Sequence, residues 1–511
     1  MKQENLFDPI PRHRLESLSK EELIEFYEVQ QRVIESFQKH VDRLESLNAE
    51  LNQKTFLIED QYIVLKNKFF GKSSERSPRS ESENDGEKPS KPAKSRVQLP
   101  SLRYPNAPLI EREVELKELP NCSCCGHVMS DSGMTEDSEF LTVIPAEYIV
   151  VRQKRHKYRC SQCHGDVKTA PAPPRIKSGS AYSDEMMVDV ACSKYCDLIP
   201  IERYAAMAGR EGLEDLPPQS LIETTHYVAD FAKPAYLKLK EEIVSSKLLH
   251  ADETRHRMLE GSDKSGWYLW GFSTPETSFF EIHDTRSGDV ASEILAKSKC
   301  EFLVSDVFSG YGKAVKESNK VRKELNLVPI KNVYCNAHAR RKFRESKEKF
   351  PEESQFFADK YKLIYQLESE AKGKPPDEVM KLREQMTPLF EDMKTRAMAD
   401  KAGYSSKSSL GKAMSYFLKN YEGLTLFLKN SILPIDNNPQ ERLLRSPVVG
   451  RKTWYGTHSE RGAETTAILF SLVESCKLNG VNPREYLKNL VQDLHLGKPA
   501  YTPREFKDLP R

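Results

Sequence analysis

The sequence predicts a multidomain protein in which a long α-helix, a small cysteine-rich β module, a helical hairpin and a larger α/β domain follow one another. Three observations support this: an apolar heptad pattern near the N-terminus, two Cys-x-x-Cys pairs, and alternating strand and helix patterns after Lys240. At 511 residues the chain is too long for one hydrophobic core. The formal net charge is only +2, so any attraction to nucleic acid or membranes must come from local patches.

The N-terminal region carries apolar residues at alternating steps of four and three, which predicts a coiled coil over residues 15–70 and therefore self-association. An asparagine at an a position, Asn48, would select register and a two-stranded state. An amphipathic helix packed on its own domain would show the same pattern. The seam positions are Leu23, Tyr27, Gln30, Ile34, Phe37, Val41, Leu44, Asn48, Leu51, Thr55, Ile58, Tyr62, Leu65 and Phe69.

Residues 71–106 are rich in serine, proline and charge, so we expect a disordered linker there. The segment after it, 107–178, contains two Cys-x-x-Cys pairs and is predicted to be a zinc-binding β module with four cysteine ligands. Zinc prefers a tetrahedral set of thiolates, and each pair supplies two from one tight turn. Free buried thiols are the alternative, and Cys124 could substitute for a neighbouring ligand. The four candidate ligands are Cys122, Cys125, Cys160 and Cys163.

The second cysteine pair lies in a strongly basic segment. Residues 152–177 contain eight lysines and arginines and a single aspartate. This predicts contact with a phosphate backbone, through residues that include Arg155 and Lys157. A basic face that only promotes solubility is the alternative.

Residues 179–240 show two helical patterns separated by Gly212, with Pro217 and Pro218 opening the second. The arrangement resembles a helix-turn-helix, which would place residues 219–226 in a DNA major groove. An ordinary helical hairpin would give the same pattern.

The last large domain is expected to cover residues 241–475. Three adjacent strands followed by a helix, a strand, a helix and a strand is the order of a ribonuclease H-like α/β sheet. Residues from about 345 to 430 read as a helical insertion, and 476–511 as a helical tail. Asp252 and Asp306 end two strands that should be neighbours. Since adjacent carboxylates repel, their placement indicates divalent cations between them.

A third acid, Glu441, lies in the stretch LPIDNNPQERLLR. Taken alone, this stretch is a helix start with Asn438 as N-cap, Pro439 at the first helical position and Glu441 in a capping box. The two strand-end aspartates change the interpretation. A sharply started helix would also aim Glu441 at a metal site shared with Asp252 and Asp306.

Ordered motifs along nearly the whole chain carry a family resemblance. They are FFGKSSER, the two cysteine pairs, HADET, SDVFSGYG, CNAHARRKF, DNNPQERLLR, GRKTWYGT and AILFSLVESCKLNGVNPREYL. On these motifs the chain resembles DDE transposases of the insertion-sequence sixty-six family. Two positions depart from the expected pattern, Asn336 where an aromatic is usual and Val307 where glycine is usual, and neither is an acid.

The resemblance implies a catalytic, metal-binding triad of Asp252, Asp306 and Glu441 that uses two Mg²⁺ (or Mn²⁺) ions, beside a structural zinc. The implied function is binding of terminal inverted repeats, metal-dependent strand cleavage and strand transfer. Two alternatives stay open: a catalytically inactive DNA-binding regulator, and a resolvase or repair-type nuclease on the same fold.

Basic residues close to the acids in sequence are predicted DNA contacts: Arg340, Arg341, Lys342, Arg451 and Lys452. His338 is a candidate for proton transfer and Trp454 for base stacking, although structural roles explain both equally well. The expected partners are double-stranded DNA at transposon ends and targets, a second copy through the coiled coil, and accessory transposition proteins. Because there is no signal sequence and no apolar run of about 20 residues, we expect a cytoplasmic, nucleoid-associated protein without membrane contact.

Overall fold

The computed structural model describes residues 12–70, 99–105, 107–111, 120–121, 123–129, 138–142, 147–162, 167–259 and 266–509. The chain divides into two compact units: Met1–Lys72, Arg155–Ala206 and Asp215–Arg511 form one, and Ser73–Lys154 with Met207–Glu214 the other. Residues 71–98 of the predicted linker lie outside the described residues, as do Cys122 and Cys163. No helix in the described ranges is long and apolar enough to cross a membrane.

The N-terminal part of the larger unit is dominated by one helix of 51 residues, α2, which follows a short helix, α1. A capping box starts α2, because the Ser19 amide donates to the Glu22 carboxylate and the Glu22 amide donates to Ser19 Oγ. Most of the large apolar side chains along α2 are exposed. The helices are α1 (Arg12–Leu15) and α2 (Lys20–Phe70).

The C-terminal third of α2 packs against a helical layer of the same unit. The Asp60 carboxylate is buried and accepts hydrogen bonds at 2.6 Å from both the amide and the hydroxyl of Ser409. Phe56 packs edge-on against Phe350, with ring centroids 5.8 Å apart. The seam residue Tyr62 does not take part in this contact and remains exposed. The helix therefore contacts its own chain through a face other than the heptad seam.

The smaller unit has little regular structure in its described residues: a short helix, α3 (Pro100–Arg103), and an isolated bridge between Asn121 and Val128. In the larger unit, β1 (Lys157–Arg159) pairs antiparallel with β2 (Val167–Thr169). Both strands are exposed along their length. Helices α4 (Asp184–Tyr195), α5 (Ile201–Arg210) and α6 (Pro218–Ser245) follow.

A five-stranded mixed sheet forms the centre of the larger unit, with the strand order β5-β4-β3-β6-β7. The first three strands in sequence pair antiparallel, and β6 and β7 extend the sheet in parallel with β3. The elements are β3 (Leu248–His256), β4 (Trp267–Ser273), β5 (Ser278–His283), α7 (Asp289–Leu295), β6 (Phe302–Ser305), α8 (Ser309–Glu324) and β7 (Lys331–Tyr334).

Helices between β7 and the C-terminal region build a second hydrophobic core that is rich in aromatic rings. Phe343 stacks on Phe357 with centroids 4.0 Å apart, and Phe390 and Phe417 pack beside them. The helices are α9 (Asn336–Ser346), α10 (Pro351–Ala371), α11 (Pro376–Glu384), α12 (Thr387–Asp400), α13 (Ser409–Lys419) and α14 (Tyr421–Thr425), with 3₁₀ turns at Lys401–Gly403 and Leu426–Lys429.

The C-terminal helices return to the sheet and pack on it in the main core. They are α15 (Asn438–Leu443), α16 (Arg445–Trp454), α17 (Glu460–Asn479), α18 (Pro483–His495) and α19 (Pro503–Lys507). Helix α17 covers the edge strand β5: the amides of Ser278 and Phe280 donate to the hydroxyls of Ser475 and Ser471. Backbone donors that would otherwise be unpaired at the sheet edge are thereby satisfied.

Helix α6, the second helix of the predicted helix-turn-helix, packs along one side into the main core through residues such as Val228 and Ala232. Its exposed side carries Glu223 and Asp230, and both carboxylates bind Arg461. DNA reading by residues 219–226 stays a prediction.

Candidate active site

The sequence predicted that both aspartates end strands, and this is wrong for Asp252, which is the fifth of nine residues in β3 because pairing with β4 continues as far as His256. Asp306 directly follows β6, as expected. Strands β3 and β6 are parallel neighbours, and His250 pairs with Val304. The β3–β6 pairing ends there, and Asp252 and Asp306 each lie two residues further along the chain, on the same side of the sheet's end. The adjacency expected from the sequence is thus present in the sheet.

The third acid, Glu441, is carried by α15, and a buried asparagine ties the start of this helix to β3. The side-chain amide of Asn437 donates to the Ala251 carbonyl at 2.9 Å, and its Oδ1 accepts from His250 Nδ1 at 2.8 Å. The Asn437 backbone amide donates to Cys335 Sγ at 3.2 Å, at the end of β7. The loop before Glu441 is therefore attached to β3 at the residue that precedes Asp252.

This arrangement differs from the expected helix cap. Asn438 is the first residue of α15, Asn437 occupies the N-cap position, and no side-chain cap is formed there. The Asp436 carboxylate accepts from the Asn438 amide at 3.1 Å instead. Local capping rules placed the cap one residue too late because the Asn437 side chain is used to bind β3 rather than its own helix.

A glycine in β4 lets α15 approach the sheet closely. Gly271 pairs with Asp252 across the β3–β4 ladder. A Cβ at position 271 would lie 2.2 Å from Gln440 Nε2 and 2.9 Å from the Phe280 ring. Gln440 is fully buried and precedes Glu441 in sequence, so the end of its side chain fills the space that Gly271 leaves.

The three acids interact electrostatically. Burial raises the pKa of Asp252 well above its usual value, and the carboxylates of Glu253, Asp306 and Glu441 raise it further. Within the described part of the chain, Glu441 Oε1 is buried and has no hydrogen-bond partner. Crowded carboxylates with an unsatisfied buried oxygen are a donor set that suits a hard divalent cation such as Mg²⁺ or Mn²⁺.

A fourth acid, Glu253, belongs to a neighbouring network that the sequence did not indicate. Its carboxylate accepts from Tyr311 Oη at 2.6 Å and from the Arg286 guanidinium at 2.6 and 2.8 Å. Burial raises the pKa of Glu253, while Tyr311 and Arg286 oppose that rise. Arg286 also lies over the Phe308 ring at 4.0 Å, and the Phe308 amide donates to Asp306. The network thus supports the loop that carries Asp306.

The basic residues predicted to contact DNA are placed on two helices near the acids. Arg451 donates to Thr254 Oγ1 at 3.4 Å, two residues beyond Asp252 on β3, and Lys452 follows it on α16 with its side chain exposed. On α9, Arg340 lies over the Tyr365 ring at 5.1 Å. Arg341, half-buried, is next to Arg340 in the same helix.

Lys342 lies over the Tyr416 ring at 4.8 Å, on the helical layer that follows α9. Trp454 packs against Tyr195 and beneath Lys194, so most of its ring belongs to the core. Asn336, where an aromatic residue was expected, is buried and donates to the Leu424 and Ile435 carbonyls. Its role in this chain is structural.

The cysteine module is described in part. Cys125 and Cys160 are both exposed, while Cys122 and Cys163 lie outside the described residues. Arg155 Nε donates to the Ala170 carbonyl at 2.7 Å, and Lys157 begins β1 with its side chain exposed. The basic segment is therefore accessible along β1.

Three family models match this chain. One described as "Transposase IS66 family" matches residues 179–465, one described as the zinc-finger binding domain of transposase IS66 matches 120–164, and one described as the IS66 C-terminal element matches 471–507. The zinc-finger match supports a structural zinc ion in the cysteine module.

The chain is also similar to three proteins of Sinorhizobium fredii (strain NBRC 101917 / NGR234), each described as uncharacterised. It is 26% identical to y4hP over 414 residues, which cover 76% of this chain and 73% of the relative. It is 29% identical to y4jD over 389 residues, covering 74% and 75%. It is 26% identical to y4qI over 379 residues, covering 71% and 69%.

Proposed function

The chain belongs to the IS66 family of transposases, and on this premise we propose that it cleaves and joins DNA at a divalent-metal site formed by Asp252, Asp306 and Glu441. The observation that carries the proposal is that Asp252 on β3 and Asp306 after β6 each lie two residues beyond the last paired residues of these adjacent parallel strands. Burial raises the pKa of Asp252, and Asp306 and Glu441 are both near enough to raise it further. We infer that the sheet is ribonuclease H-like, since three antiparallel strands are extended by two parallel ones.

In the proposed reaction, water attacks a phosphodiester at the transposon end and releases a 3′ hydroxyl. That hydroxyl then attacks a phosphodiester of target DNA, and the target's own 3′ oxygen leaves. Asp252, Asp306 and Glu441 would hold Mg²⁺ or Mn²⁺, which supplies Lewis-acid activation of the attacking oxygen and offsets charge on the leaving oxygen. Asn437 ties the start of the Glu441 helix to β3, and Gly271 leaves room for Gln440 over β4. These contacts would position the three acids before DNA binds.

DNA would be held by the basic residues around the acids. Arg451 and Lys452 on α16, next to β3, are placed to bind phosphates close to the scissile bond. Arg340, Arg341 and Lys342 on α9 extend this basic surface, and Arg155 and Lys157 belong to the separate surface of the zinc-finger region. The zinc finger and helices α5 and α6 would recognise the terminal repeats.

A second copy would join through the heptad seam of α2. The seam residues Leu44, Leu51 and Ile58 are 63–67% exposed, so the chain's own fold leaves them available. The contact that α2 makes with its own unit uses Phe56 and Asp60 instead. This favours a two-stranded coiled coil over a helix whose seam packs on its own domain, and pairing would hold two DNA ends together. Accessory transposition proteins are a further expected partner.

The test is an end-cleavage and strand-joining assay with Mg²⁺ and duplexes that carry the inverted repeats flanking the gene. Asp252→Asn and Glu441→Gln should each reduce both products by about 100-fold or more. Asp289→Asn is the matched control, because Asp289 is an exposed aspartate of the same unit that pairs with Lys313. Activity that survives Asp252→Asn would refute the proposed triad.

The same assay separates the alternatives. Specific binding of repeats without cleavage by the wild-type chain would identify a DNA-binding regulator. Cleavage without joined product would identify a resolvase or repair-type nuclease.

A further inference from the structure

A cysteine and a histidine lie beside the third acid of the proposed triad. Cys335 follows β7 directly, His338 is in the first turn of α9, and Glu441 comes from α15. The Cys335 sulfur, a ring nitrogen of His338 and a carboxylate oxygen of Glu441 all lie within 4.8 Å of one another. We propose that these side chains form a second metal site, which binds a borderline-soft divalent ion of the Zn²⁺ type. Thiolate, imidazole and carboxylate are the ligands that zinc takes in proteins, with water in the fourth position.

The local structure brings these ligands together before any ion binds. Cys335 and His338 are three residues apart at the start of a helix, so they share one face of α9. Asn336 binds the Ile435 carbonyl, and Asn437 binds Cys335 Sγ, so the start of α9 and the loop before Glu441 are fixed to each other. Burial raises the pKa of the Cys335 thiol to about 12, and the Asn437 amide that donates to the sulfur opposes that rise, so a bound metal ion would displace the thiol proton.

Two buried atoms in this cluster lack partners. His338 Nδ1 and Glu441 Oε1 are 3.8 Å apart, and within the described residues neither has a hydrogen-bond partner. Tetrahedral zinc holds its ligand atoms about 3.3–3.7 Å from one another. The separation of these two atoms is close to that range, the three ligand atoms lie within 4.8 Å of one another, and one cation would satisfy both unpaired atoms. The side chains of His338 and Glu441 are each 28% exposed, which leaves a route from solvent.

The second site differs in chemistry from the triad but shares one ligand with it. Mg²⁺ prefers oxygen ligands and has little affinity for a thiol, whereas Zn²⁺ gains from sulfur and nitrogen. A zinc ion that binds Glu441 together with Cys335 and His338 would withdraw Glu441 from Asp252 and Asp306. This consequence, inhibition of DNA cleavage by Zn²⁺, rests on the proposed function, whereas the binding of the ion does not.

Binding is tested with Co²⁺ as a spectroscopic substitute for Zn²⁺, added to the full-length chain whose zinc module is already loaded. We expect a thiolate-to-cobalt charge-transfer band that saturates at one added equivalent. Co²⁺ held by carboxylates alone gives no such band, so a signal from the triad is excluded. Cys335→Ser should abolish the band, and His338→Ala should weaken the affinity for Co²⁺ at least about tenfold.

Matched controls remove the same side-chain types elsewhere. Cys300→Ser changes another buried thiol, and His283→Ala changes a half-buried imidazole on β5. Both should keep the band. The proposal is overturned if the wild-type chain gives no band, or if the band persists unchanged in Cys335→Ser. A Cys335-dependent band in a chain that cleaves no DNA would support the site and refute only the proposed function.

Discussion

Gln440 lies over Gly271 so closely that its Nε2 would be 2.2 Å from a Cβ at position 271. Gly271 faces Asp252 across the β3–β4 ladder, and Gln440 precedes Glu441 on α15. The end of the Gln440 side chain therefore fills the space beside Asp252 that a side chain on β4 would otherwise occupy. A helix can approach a sheet this closely only where the strand offers no side chain.

We expect Gly271→Ala to move α15 away from β4 and to lower DNA cleavage strongly while the sheet still forms. Overpacking of this kind costs about 1–3 kcal/mol of the free energy of unfolding. The measurements are chemical denaturation and the cleavage assay. Gly312→Ala is the control, because a Cβ there would meet no heavy atom within 4 Å among the described residues. Equal activity in the two variants would show that the close approach is not needed.

Hydrogen bonds of the Asn437 side chain hold the start of α15 on β3. Asn437→Ala removes the hydrogen bonds to His250 and Ala251 and leaves both partners buried without replacements. Each buried group left unpaired costs about 1–3 kcal/mol, so for two groups we expect a loss of about 2–6 kcal/mol in the free energy of unfolding. Urea denaturation measures this loss.

The neighbouring variant Asn438→Ala is the matched control. The Asn438 amide binds the Asp436 carboxylate in its own loop and is only half-buried. Asn438→Ala should therefore lower the free energy of unfolding by only about 0.5 kcal/mol, the low end of the usual range for a hydrogen bond. If both variants lost the same stability, the attachment to β3 would not be what makes Asn437 important.

The Gln440–Gly271 contact and the Asn437 hydrogen bonds show why the site was only partly predictable from sequence. The order of the strands that lead to Asp252 and Asp306 can be predicted from hydrophobic patterns, and parallel neighbours bring the two positions together. The extension of β3 beyond Asp252 to His256 was not predicted. By contrast, Asn437 binds His250, which is 187 residues away in sequence. Capping rules consider only neighbouring residues, and they predicted Asn438 rather than Asn437 as the N-cap. A contact between residues so far apart produces no periodic pattern in the sequence, so it could not be predicted.

The hydrogen-bond network of Glu253 could not be predicted from the sequence for the same reason. Glu253 follows Asp252 directly, and in a strand successive side chains face opposite ways. Its partners Tyr311 and Arg286 come from elements 58 and 33 residues further along. Their residue types fit ordinary surface or core positions, and only the packed sheet shows that they support the Asp306 loop.

Acid should destabilise the larger unit through a buried histidine. His256 on β3 is bound to Thr457 Oγ1, and burial, followed by the charge of Arg451, lowers the pKa of His256 to about 4. The unfolded chain has the ordinary histidine pKa of about 6.5 and binds more protons between pH 6.5 and 4. Stability conferred by neutral His256 is therefore fully present above pH 6.5 and is lost as the pH falls toward 4.

The size of this effect should approach about 3 kcal/mol in the free energy of unfolding between pH 7 and pH 4. His256→Gln keeps a side chain that can hydrogen-bond and cannot titrate, so its stability should depend less on pH over that interval. Urea denaturation at a series of pH values gives the comparison. Parallel pH profiles in the variant and the wild type would exclude His256 as the source.

Self-association through α2 should depend on the heptad seam and not on exposed apolar residues in general. Leu44 is a seam residue with 65% of its side chain exposed, and Val29 is another exposed apolar residue of the same helix, outside the seam. In a two-stranded coil, Leu44→Lys would bury a charge at the partner helix, whereas Val29→Lys would place its charge in solvent. We expect Leu44→Lys to convert a dimer into a monomer and Val29→Lys to leave the dimer intact, as measured by sedimentation equilibrium.

Because Phe56 and Asp60 attach α2 to its own unit on another face, the monomer should keep the thermal stability of the parent chain. A wild-type chain that is monomeric at all concentrations, or a Val29→Lys variant as dissociated as Leu44→Lys, would contradict pairing through the seam.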